Sequence, residues 1–282
     1  MSAEAHRFAV FGHPIAHSLS PQIHQAFAEQ LGIRLSYETI DAAPDQFEPA
    51  VRRFFAEGGL GANVTMPHKI AALNVASERS EAAIRAGAAN TLTPLVGGKL
   101  QAGGKLQAHN TDGSGFVRDI TERHSLDLRG HDALLLGAGG AARAVAWALM
   151  DAGVQTLTIV NRSPERADEL ADAIGEPARC HTRYWDDLEG KCFDLVVNAT
   201  SIGVVGGTFD LPMSILQDHS TCYDLCYGAA AADFKGWATA AGTRYFRDGL
   251  GMLVEQAADA FERWHGQRPD TDPVYNLLRQ RY

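Results

Sequence analysis

The chain has 282 residues, of which 45% are hydrophobic and 21% charged, which predicts a soluble globular protein of one large domain or two ordinary ones. A formal net charge of −9 argues against nucleic acid or an anionic membrane as the main partner. No apolar stretch is long enough to span a bilayer. The start, MSAEAHRFAVFG, does not read as a signal peptide, so a cytoplasmic protein is expected. Cys180, Cys192, Cys222 and Cys226 form no CxxC pair, and the 11 histidines form no HExxH-type cluster. Idle thiols in a reducing compartment and no metal site are the expectation.

In chain order, RFAVFG is a short apolar strand ending at Gly12, and SPQIHQAFAEQLG is an amphipathic helix stopped by Gly32. LSYETI alternates as a strand, PDQFEPAVRRFFAEGG is a helix, and LGANVTMP is a strand ending at a proline. A second unit begins near Asp112. HDALLLGAGGAARAVAWALMDAG reads as strand, glycine turn and helix, TLTIVNR as the next strand, and SPERADELADAIG as a helix. FDLVVNAT and TCYDLCY are further strands, and DGLGMLVEQAADAFERWHG is a long C-terminal helix. This β-then-α alternation predicts an α/β fold of mainly parallel sheets flanked by helices. Two α/β domains are expected, with the C-terminal helices packing back on the first.

Gly137-Ala138-Gly139-Gly140-Ala141-Ala142 fits the pattern G-x-G-x-x-G/A. It follows the apolar strand ALLL and opens a helix, the context in which the pattern binds a dinucleotide. The first glycine permits the turn, the second lets backbone approach a pyrophosphate, and the small third residue lets helix and strand pack. The helix N-terminus offers N–H groups to the phosphates. The next strand ends in Asn161-Arg162-Ser163-Pro164-Glu165-Arg166, where an NAD site usually places an acid. Two arginines suit a 2′-phosphate instead, so NADP is favoured over NAD.

Three polar clusters interrupt the first half: His17-Ser18-Leu19-Ser20-Pro21, Asn63-Val64-Thr65-Met66-Pro67-His68-Lys69, and Asn110-Thr111-Asp112-Gly113. The first two follow strands, where open α/β sheets bind ligands. Each has a plain structural alternative. Ser20 suits a helix N-cap ahead of Pro21, Lys69 a surface lysine, and Asp112 a turn before Gly113. Together, beside a dinucleotide site, they favour catalysis on a small polyhydroxylated acid.

GHPIAHSLSP, NVTMPHK, GAANTL, NTDGSG, GAGGAARA, NRSPERA, NATSIG and DGLGMLVEQAA stand in this order along the chain. In these motifs the sequence resembles the shikimate dehydrogenases, from Phe11 to about Gly266. The resemblance implies an N-terminal α/β substrate-binding domain (1–112 plus about 250–282) and a Rossmann-like NADP-binding domain (113–249). It implies reversible NADPH-dependent reduction of 3-dehydroshikimate to shikimate, in aromatic amino acid biosynthesis, by a monomer or homodimer. Lys69 and Asp112 match the family's catalytic pair. Ser18, Ser20, Thr65, Asn90, Tyr227 and Gln256 match substrate contacts. Gly137, Gly139, Gly140, Ala141, Asn161, Arg162 and Arg166 match cofactor contacts, and Gly249 and Met252 lie near the nicotinamide by the same resemblance. After Tyr227 the chain runs Gly-Ala-Ala-Ala-Ala-Asp, without the Pro and Thr frequent in relatives. A relative acting on quinate or an amino-shikimate compound is the neighbouring alternative; a ligand-sensing module on the same fold is the alternative from another class.

Residues 97–108 spell GGKLQA twice without a gap. One copy completes a hairpin, TLTPLV-GG-KLQA, with Gly97 and Gly98 as its turn. The other adds six residues, an even number, so the alternation of faces survives. Either KLQA can pair with TLTPLV, and the extension is expected to be tolerated.

Overall fold

A computed structural model describes residues 6–95 and 104–281. The chain divides into two units, Met1–Gly115 with Val254–Leu277, and Phe116–Leu253 with Leu278–Tyr282.

The first unit runs β1 (His6–Gly12), α1 (Ser20–Leu31), β2 (Leu35–Asp41), α2 (Phe47–Ala56), β3 (Gly59–Val64), α3 (Lys69–Val75), β4 (Glu78–Arg79), α4 (Glu81–Ala86), β5 (Thr91–Pro94), β6 (Leu106–His109) and the start of α5 (Asp112–Arg118). Its sheet has the order β2-β1-β3-β5-β6-β4. β1 is parallel to β2 and β3, while β5 is antiparallel to β3 and β6. The sheet is therefore mixed rather than mainly parallel at its β5 side, where β5 runs antiparallel to both of its neighbours.

The second copy of the repeat supplies β6. Leu106 pairs with Pro94, Gln107 with Thr93, Ala108 with Leu92 and His109 with Thr91. Leu106 and Ala108 are buried in the core with Phe11, Val64 and Leu92. The first copy and the expected Gly97-Gly98 turn lie outside the described residues.

The second unit runs β7 (Asp132–Leu136), α6 (Gly140–Asp151), β8 (Thr156–Val160), α7 (Pro164–Ile174), β9 (Cys180–Arg183), β10 (Leu195–Asn198), β11 (Thr221–Asp224), α8 (Ala232–Ala240) and β12 (Tyr245–Arg247). The sheet is parallel throughout, in the order β12-β11-β10-β7-β8-β9. This is the doubly wound dinucleotide-binding order, with its reversal between β7 and β10. Both faces are covered. Leu135, Ile159 and Val197 join one core, and Leu134, Leu136 and Val196 join another with Phe234 and Trp237. Burial on both faces is why ALLL is a continuous apolar run.

Two helices, α9 (Leu250–His265) and α10 (Asp272–Arg279), end the chain. α9 packs on the first sheet through its last turns. The Phe8 and Trp264 rings stack with centroids 4.8 Å apart. A Cβ on Gly61 would drive into the Trp264 indole, so the strand needs glycine there. No described helix is long and apolar enough to cross a membrane.

Candidate active site

In the first unit the end of β3 leads into the segment carrying Thr65 and Lys69, and β6 leads into Asp112. Lys69 is the first residue of α3 and Asp112 the first of α5. Lys69 Nζ donates to Asp112 Oδ2 at 2.6 Å, with side-chain exposures of 19% and 5%. The lysine is thus no surface cation and the aspartate no turn residue. At this depth water screens the pair weakly.

Asn90 organises the rest. Its Nδ2 lies within donating distance of Asp112 Oδ1 (2.9 Å), Thr111 Oγ1 (2.9 Å) and Gln256 Oε1 (3.1 Å). Its Oδ1 accepts from the Thr111 backbone N–H at 2.9 Å and from the Thr91 hydroxyl at 3.0 Å. Asp112 N–H donates to Asn110 Oδ1 at 3.0 Å, and Asn110 Nδ2 to the Ala88 carbonyl at 2.9 Å. The carboxylate that faces Lys69 is therefore fixed from its other oxygen and from its backbone. Ser20 lies inside α1, not at its cap; Leu19 occupies the cap position and makes no side-chain capping bond. The Ser18 hydroxyl accepts from Ser20 N–H at 3.3 Å. The Ser20 side chain is thus relieved of the helix-capping role that the sequence allows it.

Four polar residues here were not singled out by the sequence. Asn63, Asn110 and Thr111 sit inside two of the polar clusters, so their place at strand ends was the available signal. Tyr37 had none, since it alternates along β2 like any strand residue. Its hydroxyl donates to Asn63 Oδ1 at 2.7 Å, and Asn63 Nδ2 donates to the Asn90 carbonyl at 3.2 Å. The fully buried His24 ring stacks on Tyr37 with centroids 4.4 Å apart. Burial pushes His24 down to about 3 and holds the Tyr37 hydroxyl well above its ordinary range. Both are neutral supports behind the cluster.

In the second unit the glycine turn stands between β7 and α6. Gly137 has φ +112°, and a Cβ there would sit 3.0 Å from the Ala199 carbonyl oxygen. A Cβ on Gly139 would meet nothing within 4 Å, so its backbone faces open space. α6 begins at Gly140 with no side-chain cap, which leaves its first N–H groups for a ligand. At the end of β8, Asn161 Nδ2 donates to the Ser163 carbonyl at 2.9 Å. Arg162 and Arg166 are exposed, and among the described residues neither makes an ion pair. Gly249 and Met252 are buried at the start of α9. Tyr227 follows β11 and so belongs to this unit, while Ser18, Ser20, Thr65, Asn90 and Gln256 belong to the first.

A family profile described as the shikimate dehydrogenase substrate binding domain matches residues 10–92. Profiles described as shikimate / quinate 5-dehydrogenase and as the shikimate 5'-dehydrogenase C-terminal domain match residues 119–203 and 249–279. Over 279 residues the chain is 58% identical to the shikimate dehydrogenase (NADP(+)) of Xylella fastidiosa (strain 9a5c), covering 98% of this chain and 96% of that one. The chain belongs to the shikimate dehydrogenase family. Among solved structures, shikimate 5-dehydrogenase from Thermus thermophilus in complex with NADP(H) and shikimate aligns with a TM-score of 0.83 at 34% identity, covering 98% of this chain and 99% of that one. An Ael1 enzyme from Pseudomonas putida aligns with a TM-score of 0.88 at 40% identity, covering 97% and 98%.

The second unit's residues fit the nicotinamide dinucleotide of a shikimate dehydrogenase. A positive-φ glycine, an uncapped helix N-terminus and two arginines without ion pairs to described residues are the donor set that a pyrophosphate and a 2′-phosphate require.

Proposed function

We propose that the protein catalyses the reversible NADPH-dependent reduction of 3-dehydroshikimate to shikimate. The observation that carries this reading is the Lys69–Asp112 pair at 2.6 Å, held by Asn90, in a chain whose other half has a dinucleotide turn. Bound at that turn, NADPH supplies the hydride. As the ring ketone is reduced, negative charge grows on its oxygen. Lys69 holds a proton at Nζ, stabilises that charge and donates the proton. In the reverse direction Nζ receives the proton of the substrate hydroxyl. Asp112 orients the ammonium through Oδ2 and is itself oriented by Asn90 through Oδ1.

The Ser18 and Ser20 hydroxyls are assigned to the substrate carboxylate. Thr65, Asn90 and Gln256 are assigned to ring hydroxyls or carboxylate, and Tyr227 to a further substrate contact. Gly137, Gly139, Gly140 and Ala141 take the pyrophosphate, Asn161, Arg162 and Arg166 the adenosine 2′-phosphate end, and Gly249 and Met252 the nicotinamide end. The same reading makes 1–112 with about 250–282 the substrate domain and 113–249 the NADP domain. It makes the protein a cytoplasmic monomer or homodimer that needs neither nucleic acid nor membrane.

Initial rates of nicotinamide reduction test this, with shikimate and NADP⁺ against quinate and NAD⁺. Fast turnover is expected only with shikimate and NADP⁺. Silence from the whole chain and from the form lacking residues 97–102 would sink the assignment.

A further inference from the structure

Asn198 and Asp224 end the adjacent parallel strands β10 and β11 and stand opposite each other in register. Both side chains are buried, at 1% and 0% exposure. Asn198 Nδ2 donates to Asp224 Oδ1 at 2.9 Å. The same Oδ1 accepts from the Cys226 backbone N–H at 2.9 Å. Asn198 Oδ1 accepts from the Thr200 backbone N–H at 3.0 Å and from the Thr200 hydroxyl at 2.7 Å. One buried pair thus closes the turn after each of two strands, and joins the two turns.

Both turns belong to the candidate cofactor site. The Ala199 carbonyl is the group against which Gly137 packs. The Cys226 carbonyl accepts from Gly249 N–H at 2.9 Å, and Tyr227 follows directly. Cys226 Sγ lies 3.9 Å from the Thr200 carbonyl, a second link between the turns. The glycine turn and the start of α9 therefore rest on loops that a single side-chain pair fixes.

The pair is costly for the fold alone. Asp224 Oδ2 is buried with no hydrogen-bond partner. Native proteins leave few buried polar atoms unpaired, and those that persist call for an explanation. Burial pushes the Asp224 carboxyl up to about 6, against the lowering effect of the Cys226 and Asn198 hydrogen bonds. Asp248, itself bonded by Arg279 at 2.6 Å, adds a small upward push. The Cys226 thiol is pushed up to about 12 by its own burial and by Asp224, so it stays neutral.

We infer that Asn198 and Asp224 are a positioning pair for the dinucleotide, fixing the loops after β10 and β11 so that Gly137, Ala199 and Gly249 keep the spacing the cofactor needs. The inference rests on the NADP reading of this unit. Calorimetric titration with NADP⁺ and, separately, with shikimate tests it on the whole chain and on Asp224→Ala, Asp224→Asn and Asn198→Ala. The NADP⁺ Kd is expected to rise about tenfold in each alanine variant, the size of one lost hydrogen bond to a charged group. The shikimate Kd rises far less, since Tyr227 alone of the assigned substrate contacts follows these turns. Asp224→Asn, which keeps the Oδ1 acceptor, recovers most of the NADP⁺ affinity. The double alanine variant is no worse than either single one, because the two side chains act as one device. Where Asp224→Ala does not fold, Asn198→Ala and Asp224→Asn carry the same comparison. Folded alanine variants that bind NADP⁺ like the parent chain would overturn the inference, as would equal weakening of NADP⁺ and shikimate. A parent chain that binds shikimate but no NADP⁺ removes the cofactor reading itself, and the positioning role with it.

Discussion

The two units place polar groups by different means. In the second, the groups proposed to meet the cofactor are largely backbone, set by a few consecutive residues around Gly137 at the end of β7. In the first they are side chains drawn from distant stretches, so that Asn90 meets Gln256 across 166 positions. A backbone site can lose one side chain and keep most of its affinity. A side-chain site concentrates chemistry in single atoms, and loses it with them.

Lys69→Ala breaks the comparison hardest. The ammonium bonded to Asp112 is removed, and kcat is expected to fall by about 10²–10⁴-fold. The shikimate Kd, measured by calorimetry, is expected to change far less, because the proposed contacts of Ser18, Ser20, Thr65, Asn90 and Gln256 remain. Equal losses in turnover and binding from a folded variant would remove the general-acid role. On the other side, replacing Arg162 and Arg166 together by alanine is expected to raise the NADP⁺ Kd by about 100-fold, two charged hydrogen bonds' worth. NAD⁺ binding is left as it was, since it has no 2′-phosphate. A parallel loss for both cofactors would assign the arginines to the pyrophosphate or to the fold.

The same contrast governs what could be read from the residues. The turn at Gly137 was legible by itself, because strand, glycines and helix are contiguous and each glycine has a local reason. The parallel strands of the second unit were mostly legible as apolar runs. β9 was not: only its first residue is buried, and CHTR carries no apolar signal. In the first unit Lys69 and Asp112 each had an equally good mundane reading. Only the fold shows them 2.6 Å apart, and the resemblance to a known family had to nominate them. The roles of Tyr37, Asn198 and Asp224 were hidden for a different reason, although Asn198 opens the NATSIG motif. Their roles lie in hydrogen bonds across neighbouring strands, which no spacing along the chain records.

Asp224→Asn sharpens the account of what a buried acid costs. The folded-state carboxyl, at about 6, lies above its ordinary 3.8, so the native chain binds this proton more tightly than the unfolded chain. The group supports folding below about pH 4 and loses that contribution as pH rises through 6. The amide carries no such charge. Its thermal stability relative to the parent chain is therefore expected to improve from pH 4 to pH 7, by about 2 kcal/mol. Melting curves across that range check it. A constant difference would mean that the ionised carboxylate is not disfavoured in the fold.

The smallest effect is expected where the sequence is strangest. The two GGKLQA copies are identical, so deleting residues 97–102 leaves one copy in place. That copy already makes the ladder with β5. It is also held from its other side, where Ser77 N–H donates to the Leu106 carbonyl at 3.0 Å and Ser80 N–H to the Ala108 carbonyl at 2.9 Å. Asn90 N–H donates to the His109 carbonyl at 3.0 Å, and Asp112 follows within three residues. Loop entropy changes by less than about 1 kcal/mol for six residues, so the melting temperature moves by a few degrees at most. Turnover stays within about twofold, since a shift that small leaves Asp112 in place. A large drop in kcat with NADP⁺ affinity intact would mean that the first copy sets the register of β6. The aspartate of the side-chain site would then depend on a six-residue insertion, while the backbone site ignores it.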